Sequence, residues 1–200
     1  MDEMSLKVAE GNIFTIGERV ATQRAVIDIK GVGNRIEIED DCVIKGSKLT
    51  VTSDNNTIIL RRGVRFKGAI IQKISPNNLV EIGEDSTFGH ANFIAGEGTS
   101  IRVGARCMFS WGIEIRSTDS HAIFDHQNLR INSAADITVG SDVWVGAKST
   151  ILKGSFIPNG CVVAIASVVT KRFEKENAIL AGAPARIIRE GVRWERTLLG

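Results

Sequence analysis

A repeat that spans most of the chain limits the folds available to it. In the first half, aliphatic residues recur 22 positions apart, at Ile16, Ile38, Leu60 and Ile82. An asparagine opens each of these units four residues earlier. No helical period fits this series. Repeats of this length indicate a solenoid, in which each coil covers the one before it.

Beyond residue 137 the spacing shortens to six residues without a gap. Aliphatic residues hold the repeated position: Val139, Val145, Ile151, Ile157, Val163 and Val169. Small or β-branched residues stand four positions after the first five of these: Val143, Ser149, Ser155, Cys161 and Ser167. One large and one small inward residue in each unit predict a short strand followed by a turn. Three such sides close a coil of about 18 residues, so we expect an all-β solenoid of roughly eight coils.

The three cysteines all occupy the small inward position, at Cys42, Cys107 and Cys161. We therefore expect buried thiols that fill the solenoid, rather than a nucleophile or metal ligands. An odd number of cysteines without a CxxC pair is typical of a reducing compartment, which favours the cytoplasm.

Charge and hydropathy argue against two other classes of protein. The 25 basic residues nearly balance the 23 acidic ones, so we expect no nucleic-acid partner. The chain has no long apolar run, and its acidic N-terminus lacks the features of a signal peptide. We expect one cytoplasmic β-domain over residues 1–200, without a transmembrane segment.

Several coils resemble those of the hexapeptide-repeat acyltransferases. The similar segments are Val-Gly-Ser-Asp-Val-Trp-Val-Gly-Ala (139–147), Thr-Ile-Leu-Lys-Gly (150–154), Ser-Val-Val-Thr-Lys (167–171) and Ala-Gly-Ala-Pro-Ala-Arg (181–186). Residues 107–125 resemble the branch that O-acetylates bacterial capsular and surface polysaccharides, including the polysialic acid O-acetyltransferases. The resemblance is strongest over residues 78–192.

This resemblance implies a single left-handed parallel β-helix with a protruding active-site loop. It also implies a C-terminal tail, residues 171–200, that closes over a coenzyme. Members of the family are homotrimers with active sites between neighbouring subunits, and we expect the same assembly for this chain.

One break in the repeat singles out a histidine. The regular spacing is lost between residues 103 and 139, and His121 lies in this interval. Acetyl transfer from a thioester to a hydroxyl needs a base, and histidine suits that role near neutral pH. We expect a loop that lifts His121 out of the wall, at the position of the family's catalytic histidine. Glu114 or Asp119, less strongly Asp125, or a backbone carbonyl would orient its ring.

Two tryptophans stand at outward positions of the repeat. Trp144 lies between the inward Val143 and Val145. An exposed indole needs a cover, which a subunit interface would supply. The resemblance instead implies that Trp144 is at the acetyl site, with its backbone N–H facing the oxyanion and its ring on a substrate. Trp111 would line the acceptor cleft or pack in the core.

The thin arm and the phosphates of coenzyme A predict a groove of small residues flanked by cations. Small residues are available in the C-terminal coils at Gly146, Ala147, Ala164 and Ala166. Cations follow at Lys171, Arg172 and Arg186, and the loop around Gly182 resembles the family's coenzyme-closing loop. We therefore expect acetyl-CoA as co-substrate and no metal.

These features predict an acetyl-CoA-dependent O-acetyltransferase that acts on a sugar hydroxyl of a bacterial capsular or surface polysaccharide, or of its precursor. Transfer would be direct, in a ternary complex. A sugar N-acetyltransferase fits the same residues. A zinc carbonic anhydrase of this fold would use His90, His121 and His126 but leaves the basic tail unexplained; otherwise we expect His90 and His126 to be structural. A non-catalytic scaffold leaves His121 unexplained.

Overall fold

In the computed structural model, which describes residues 4–73 and 75–197, the chain winds into a three-sided parallel β-solenoid. Within these ranges the regular structure is entirely β, and its 24 strands are numbered in chain order. Side A comprises β1 (Ser5–Val8), β4 (Val26–Ile29), β7 (Lys48–Val51), β10 (Gly68–Gln72), β13 (Ala91–Ile94), β16 (Ile113–Arg116), β19 (Thr150–Leu152) and β22 (Val168–Val169). Side B comprises β2 (Ile13–Ile16), β5 (Arg35–Ile38), β8 (Thr57–Leu60), β11 (Leu79–Ile82), β14 (Ser100–Val103), β17 (Ile137–Val139) and β20 (Phe156–Ile157). Side C comprises β3 (Ala21–Gln23), β6 (Val43–Lys45), β9 (Arg65–Phe66), β12 (Thr87–Phe88), β15 (Met108–Phe109), β18 (Trp144–Val145), β21 (Val162–Val163), β23 (Ile179–Gly182) and β24 (Ala185–Arg189).

Each coil passes from side A through side B to side C. Seven coils are complete, from coil 1 (β1–β3) to coil 7 (β19–β21), and β22 with β23 forms a partial coil 8. The predicted all-β solenoid of roughly eight coils is therefore confirmed. The last strand, β24, turns back antiparallel to β23. We name the turns between the sides the A–B, B–C and C–A corners. In the described ranges, no helix has the length and apolar character needed to cross a membrane.

The interior is filled by the residues that the repeat predicts to face inward. Aliphatic anchors such as Ile38, Leu60 and Ile82 are fully buried. The three cysteines are also fully buried and unpaired, as predicted for small inward thiols: Cys42, Cys107 and Cys161. Burial raises the pKa of Cys42 and of Cys107 to about 11, so these sulfurs remain protonated thiols at neutral pH.

An asparagine ladder explains why the first units share an asparagine and a spacing of 22 residues. At the A–B corner, Asn34 donates from its backbone N–H and from Nδ2 to Oδ1 of Asn12, at 2.9 and 2.8 Å. Asn56 bonds Asn34 in the same way, and Asn78 bonds Asn56. The ladder ends where the N–H of Gly98 donates to Asn78 at 3.0 Å. Buried amides therefore hold coils 1–4 in register.

Candidate active site

The predicted break in the repeat is a loop at the A–B corner of coil 6. The chain leaves the wall after β16 and re-enters it at β17, and residues 117–136 lie between the two strands. An antiparallel bridge between Phe124 and Arg130 closes the loop into a narrow hairpin. His121 is exposed on its first half. The loop thus lifts His121 out of the packed wall, as the sequence predicts.

One polar cluster, formed by Asp119, Asn132 and Lys153, fastens this loop to the solenoid. The Asp119 carboxylate accepts a hydrogen bond from Nδ2 of Asn132 at 2.8 Å and another from Lys153, which follows β19 in coil 7. These two donors lower the pKa of Asp119, Lys153 having the larger effect. Nδ2 of Asn132 also donates to the backbone carbonyl of His121 at 2.8 Å.

A second set of contacts fastens the loop to the preceding coil. Glu97, in the turn of coil 5, accepts a hydrogen bond from the Thr118 hydroxyl and pairs with Arg130 at 2.6 Å. Arg130 and, to a lesser extent, Thr118 lower the pKa of Glu97. Both strands of the hairpin are therefore anchored to the wall beneath it.

The predicted orienting carboxylates make no hydrogen bond to the His121 ring. Asp119 is engaged in the loop cluster, and Glu114 pairs with Arg116 at 3.1 Å. Asp125 accepts from the N–H groups of residues 127 and 129, at 2.8 and 2.9 Å, and so shapes the hairpin tip. Within the described residues no hydrogen bond joins the His121 imidazole to another group. The prediction that one of these carboxylates orients the ring is therefore wrong for the single chain.

Trp144 lies on the outer face of side C with 38% of its surface exposed. Its backbone N–H donates to the Cys161 carbonyl at 2.9 Å, as part of the ladder between β18 and β21. The predicted use of this N–H as an oxyanion donor is therefore wrong. Its indole lies 6.1 Å from that of Trp194, centre to centre. Trp194 comes from the C-terminal tail and was not predicted.

The small residues expected around the coenzyme gather at the C–A corner. A groove of about 440 Å³ runs between coils 6 and 7, lined by Ser110, Trp144, Gly146, Ala147, Val162, Val163, Ala164 and Ile165. Gly146 is required there, because a Cβ would lie 2.7 Å from the backbone nitrogen of Ile165. Ala166 follows directly in the turn. In coil 8 the N–H of Gly182 donates to Ser167 Oγ at 3.2 Å, which sets the hairpin of β23 and β24 above the groove.

The predicted cations do not flank this groove in one chain. Lys171 and Arg172 lie at the A–B corner of coil 8, on the same corner as the His121 loop. The ammonium of Lys171 lies 5.3 Å from the ring centre of Phe173. Arg172 lies 4.9 Å from the ring centre of Phe156. Only Arg186, exposed on β24, is on the side of the small residues.

Trp111 and His90 lie along the same C–A corner, in coils 5 and 4. Trp111 is 54% exposed, so its predicted alternative of core packing is wrong. The Lys148 ammonium lies 5.1 Å from its ring centre. His90 is half-buried, and His126 is exposed on the loop of coil 6. No group of His, Cys, Asp or Glu side chains suited to hold a metal is found within the described residues.

The C-terminal tail continues beyond the groove of small residues. In the tail, the indole N–H of Trp194 donates to the Asp142 carbonyl at 2.6 Å. Arg196 donates to the Thr87 hydroxyl at 2.7 Å and to the Cys107 carbonyl at 3.0 Å. The tail thus runs along the B–C corner and lines an open pocket of about 590 Å³. The closing role of residues 171–200 stays a prediction: the β23–β24 hairpin lies on side C, Trp194 lies beside Trp144, and Arg196 bonds the B–C corner.

The 18-residue period of the C-terminal coils predicts which of these residues share a corner. Residues 18 apart occupy the same corner of successive coils, which groups Gly146, Ala164 and Gly182 at one corner. It also groups Lys153 with Lys171 at another. Asn132 and Trp194 lie outside the repeat, so no periodicity marks them.

Comparison with known proteins gives relatives over nearly the whole chain, although no family model matches. A polysialic acid O-acetyltransferase of Neisseria meningitidis is 36% identical, over 94% of this chain and 86% of that protein. One from Escherichia coli O1:K1 is 33% identical over 94% of this chain, which spans 60% of that longer protein. The crystal structure of the polysialic-acid-specific acetyltransferase NeuO superposes with a TM-score of 0.86 at 30% identity, over 98% of this chain and 88% of that one.

Proposed function

Because the chain belongs to the polysialic acid O-acetyltransferases, a branch of the hexapeptide-repeat acetyltransferases, we propose that it transfers acetyl from acetyl-CoA to a sugar hydroxyl. The acceptor is a bacterial capsular or surface polysaccharide, or its precursor. One observation carries this proposal: His121, exposed on a fastened loop, is available to an acceptor outside the solenoid wall.

In the proposed reaction His121 acts as general base. Its imidazole takes the proton of the sugar hydroxyl as the hydroxyl oxygen attacks the thioester carbonyl. The C–O bond forms, the C–S bond breaks, and the imidazolium returns the proton to the coenzyme thiolate. Direct transfer is supported by the burial of all three cysteines, because no thiol is available to carry an acetyl group.

The positions of the two halves of the site support an assembly with active sites between subunits. The His121 loop is at the A–B corner, and the groove is at the C–A corner of the same chain. A side of four residues separates these corners by about 13 Å. We infer a closed homotrimer in which the A–B corner of one subunit faces the C–A corner of the next. Exposed apolar residues on the loop support such packing: Ile123, Phe124, Leu129 and Ile131.

This assembly also gives the cations a role. The groove beside Trp144 would receive the pantetheine arm, with the β23–β24 hairpin and Arg186 beside it. Lys171 and Arg172 of the neighbouring subunit would meet the phosphates from its A–B corner. They lie two coils above the His121 loop, or roughly 10 Å, which an extended pantetheine arm can span. Because acetyl-CoA is the donor, we place the reaction in the cytoplasm.

The test is acetyl transfer from labelled acetyl-CoA to a panel of polysaccharides, activated sugars and amino sugars. We expect label in ester linkage on a polysaccharide or its precursor, and turnover lower by roughly 10²- to 10⁴-fold in His121→Ala. His126→Ala is the matched control, because His126 is exposed on the same loop, and it should behave as wild type. Label confined to amino sugars, or near-normal turnover in His121→Ala, would contradict the proposal.

A further inference from the structure

One buried amide in the exposed loop contacts the backbone on both sides of Ala122. Nδ2 of Asn132 donates to the His121 carbonyl and to the Asp119 carboxylate, each at 2.8 Å. Its Oδ1 accepts from the N–H of Ile123 at 2.7 Å. Residues 121 and 123 are therefore fixed to a single side chain.

Burial distinguishes Asn132 from the rest of the loop. It is 8% exposed, whereas residues 121–124 and 126–131 are exposed. Both Nδ2 protons and the Oδ1 acceptor are used, so the buried amide has no unmet polar group. Lys153 extends the cluster to coil 7, because its ammonium bonds the Asp119 carboxylate and, at 2.9 Å, the Asn132 carbonyl. The amide is thus held by the rigid wall.

The backbone sets the position of the His121 ring in this chain. Within the described residues the imidazole has no hydrogen-bond partner that would aim it. The preceding residue, Ser120, has a left-handed backbone with φ of 66°, and its N–H donates to Thr118 Oγ1 at 2.9 Å. Fixing residues 120, 121 and 123 leaves the side-chain torsions as the only freedom of the ring.

We propose that Asn132 is a positioning residue for acetyl transfer, which holds the His121 backbone so that its imidazole meets the acceptor hydroxyl. This inference rests on the proposed role of His121 as base. Asn132 itself does not touch the reacting atoms. A shift of about 1 Å in a catalytic group lowers turnover by roughly 10²-fold, so loss of the amide should be visible in kcat.

Asn132→Asp is the primary test, because aspartate has the same shape and keeps an acceptor for the Ile123 N–H. It lacks the protons that bond the His121 carbonyl. We expect kcat to fall by roughly 10- to 100-fold while KM for acetyl-CoA is unchanged, since the groove lies at another corner. Asn128→Asp is the matched control, because it makes the same charge change at the exposed hairpin tip, at a φ of 60° that aspartate tolerates. An unchanged kcat in Asn132→Asp would overturn the proposal.

An exchange variant separates positioning from stability. Asp119→Asn combined with Asn132→Asp restores one amide–carboxylate hydrogen bond, but leaves a carboxylate against the His121 carbonyl. We expect the thermal midpoint to recover relative to Asn132→Asp while kcat stays low. Recovery of kcat together with the thermal midpoint would mean that Asn132 only stabilises the loop.

The same substitution in a His121→Ala background provides the decisive comparison. If Asn132 acts through His121, adding Asn132→Asp should not lower the residual rate further. An additional tenfold loss would overturn the positioning role. Normal turnover in His121→Ala would instead refute the proposed function and this inference with it. A slow His121→Ala beside a normal Asn132→Asp would refute the inference alone.

Discussion

Replacing Asn56 by alanine tests how much the asparagine ladder stabilises the solenoid. The side chain is fully buried. Its Nδ2 donates to Asn34 Oδ1 at 3.0 Å and to Ser53 Oγ at 3.1 Å. Its Oδ1 accepts from the N–H and from Nδ2 of Asn78, at 2.9 and 2.7 Å. Alanine removes all of these bonds and leaves a buried backbone N–H at Asn78 without its acceptor.

The expected cost follows from what remains bonded. A buried donor without an acceptor costs about 1–3 kcal/mol, and an ordinary lost hydrogen bond about 1 kcal/mol. Asn34 Oδ1 still accepts from the backbone N–H of residue 56, and Nδ2 of Asn78 still donates to the Ser75 carbonyl. We therefore expect the free energy of unfolding to fall by about 2–4 kcal/mol. Asn12→Ala also removes the acceptor of the Asn34 N–H, but Asn12 is half-buried at the end of the ladder, so water can take the place of its side chain; we expect a smaller cost, about 1 kcal/mol.

Equilibrium unfolding in urea, followed by circular dichroism and tryptophan fluorescence, gives both values if the slope against urea is constant. The difference between Asn56→Ala and Asn12→Ala isolates the buried part of the ladder, since each removes one asparagine side chain. Equal losses for the two variants would refute the reasoning, and so would a loss below about 1 kcal/mol for Asn56→Ala.

Three further outcomes are expected. Trp144→Ala should lower kcat and raise KM for substrate by roughly 2- to 10-fold, because an aromatic contact is lost. It should also increase the quenching of Trp194 fluorescence by acrylamide. Wild-type kinetics would exclude Trp144 from the site. Lys171→Glu should raise KM for acetyl-CoA and spare kcat, because the phosphates lie away from the reacting thioester. Lys175→Glu, at an exposed lysine four residues further along the chain, should have no such effect. An equal loss of affinity for a donor without the 3′-phosphate would show that Lys171 does not bind that phosphate. The three cysteines should not react with a thiol reagent at pH 7 in the native protein, since burial raises their pKa values, and all three should react in urea; rapid native labelling would contradict their burial.

The solenoid could be predicted from the sequence because its core repeats. Every sixth residue from Val139 to Val169 must face inward, so spacing alone predicts strand, turn and coil. The ladder was harder to predict, because asparagine is usually exposed and a regular spacing does not indicate that amides are buried. Only the stacking of Asn34 on Asn12 shows why that residue recurs.

The contacts within the site could not be predicted in the same way. Asp119 was expected to face His121, but its charge is bonded by Lys153, 34 residues further along the chain. The loop lies outside the repeat, so no period relates its residues to the wall. Sequence reasoning also treated Lys171 and Ala164 as one groove. Their phases in the 18-residue period assign them to different corners, which only the proposed neighbouring subunit would bring together.

The ladder also gives the chain a way to change length during evolution. Asn34 and Asn56 hold equivalent places, so loss of residues 34–55 would join Gly33 to Asn56 with every amide still opposite another. Duplication of such a unit would likewise keep each asparagine paired with one in the next coil. Coils 1–4 can therefore gain or lose whole units without changing His121 or its surroundings in coils 5–8.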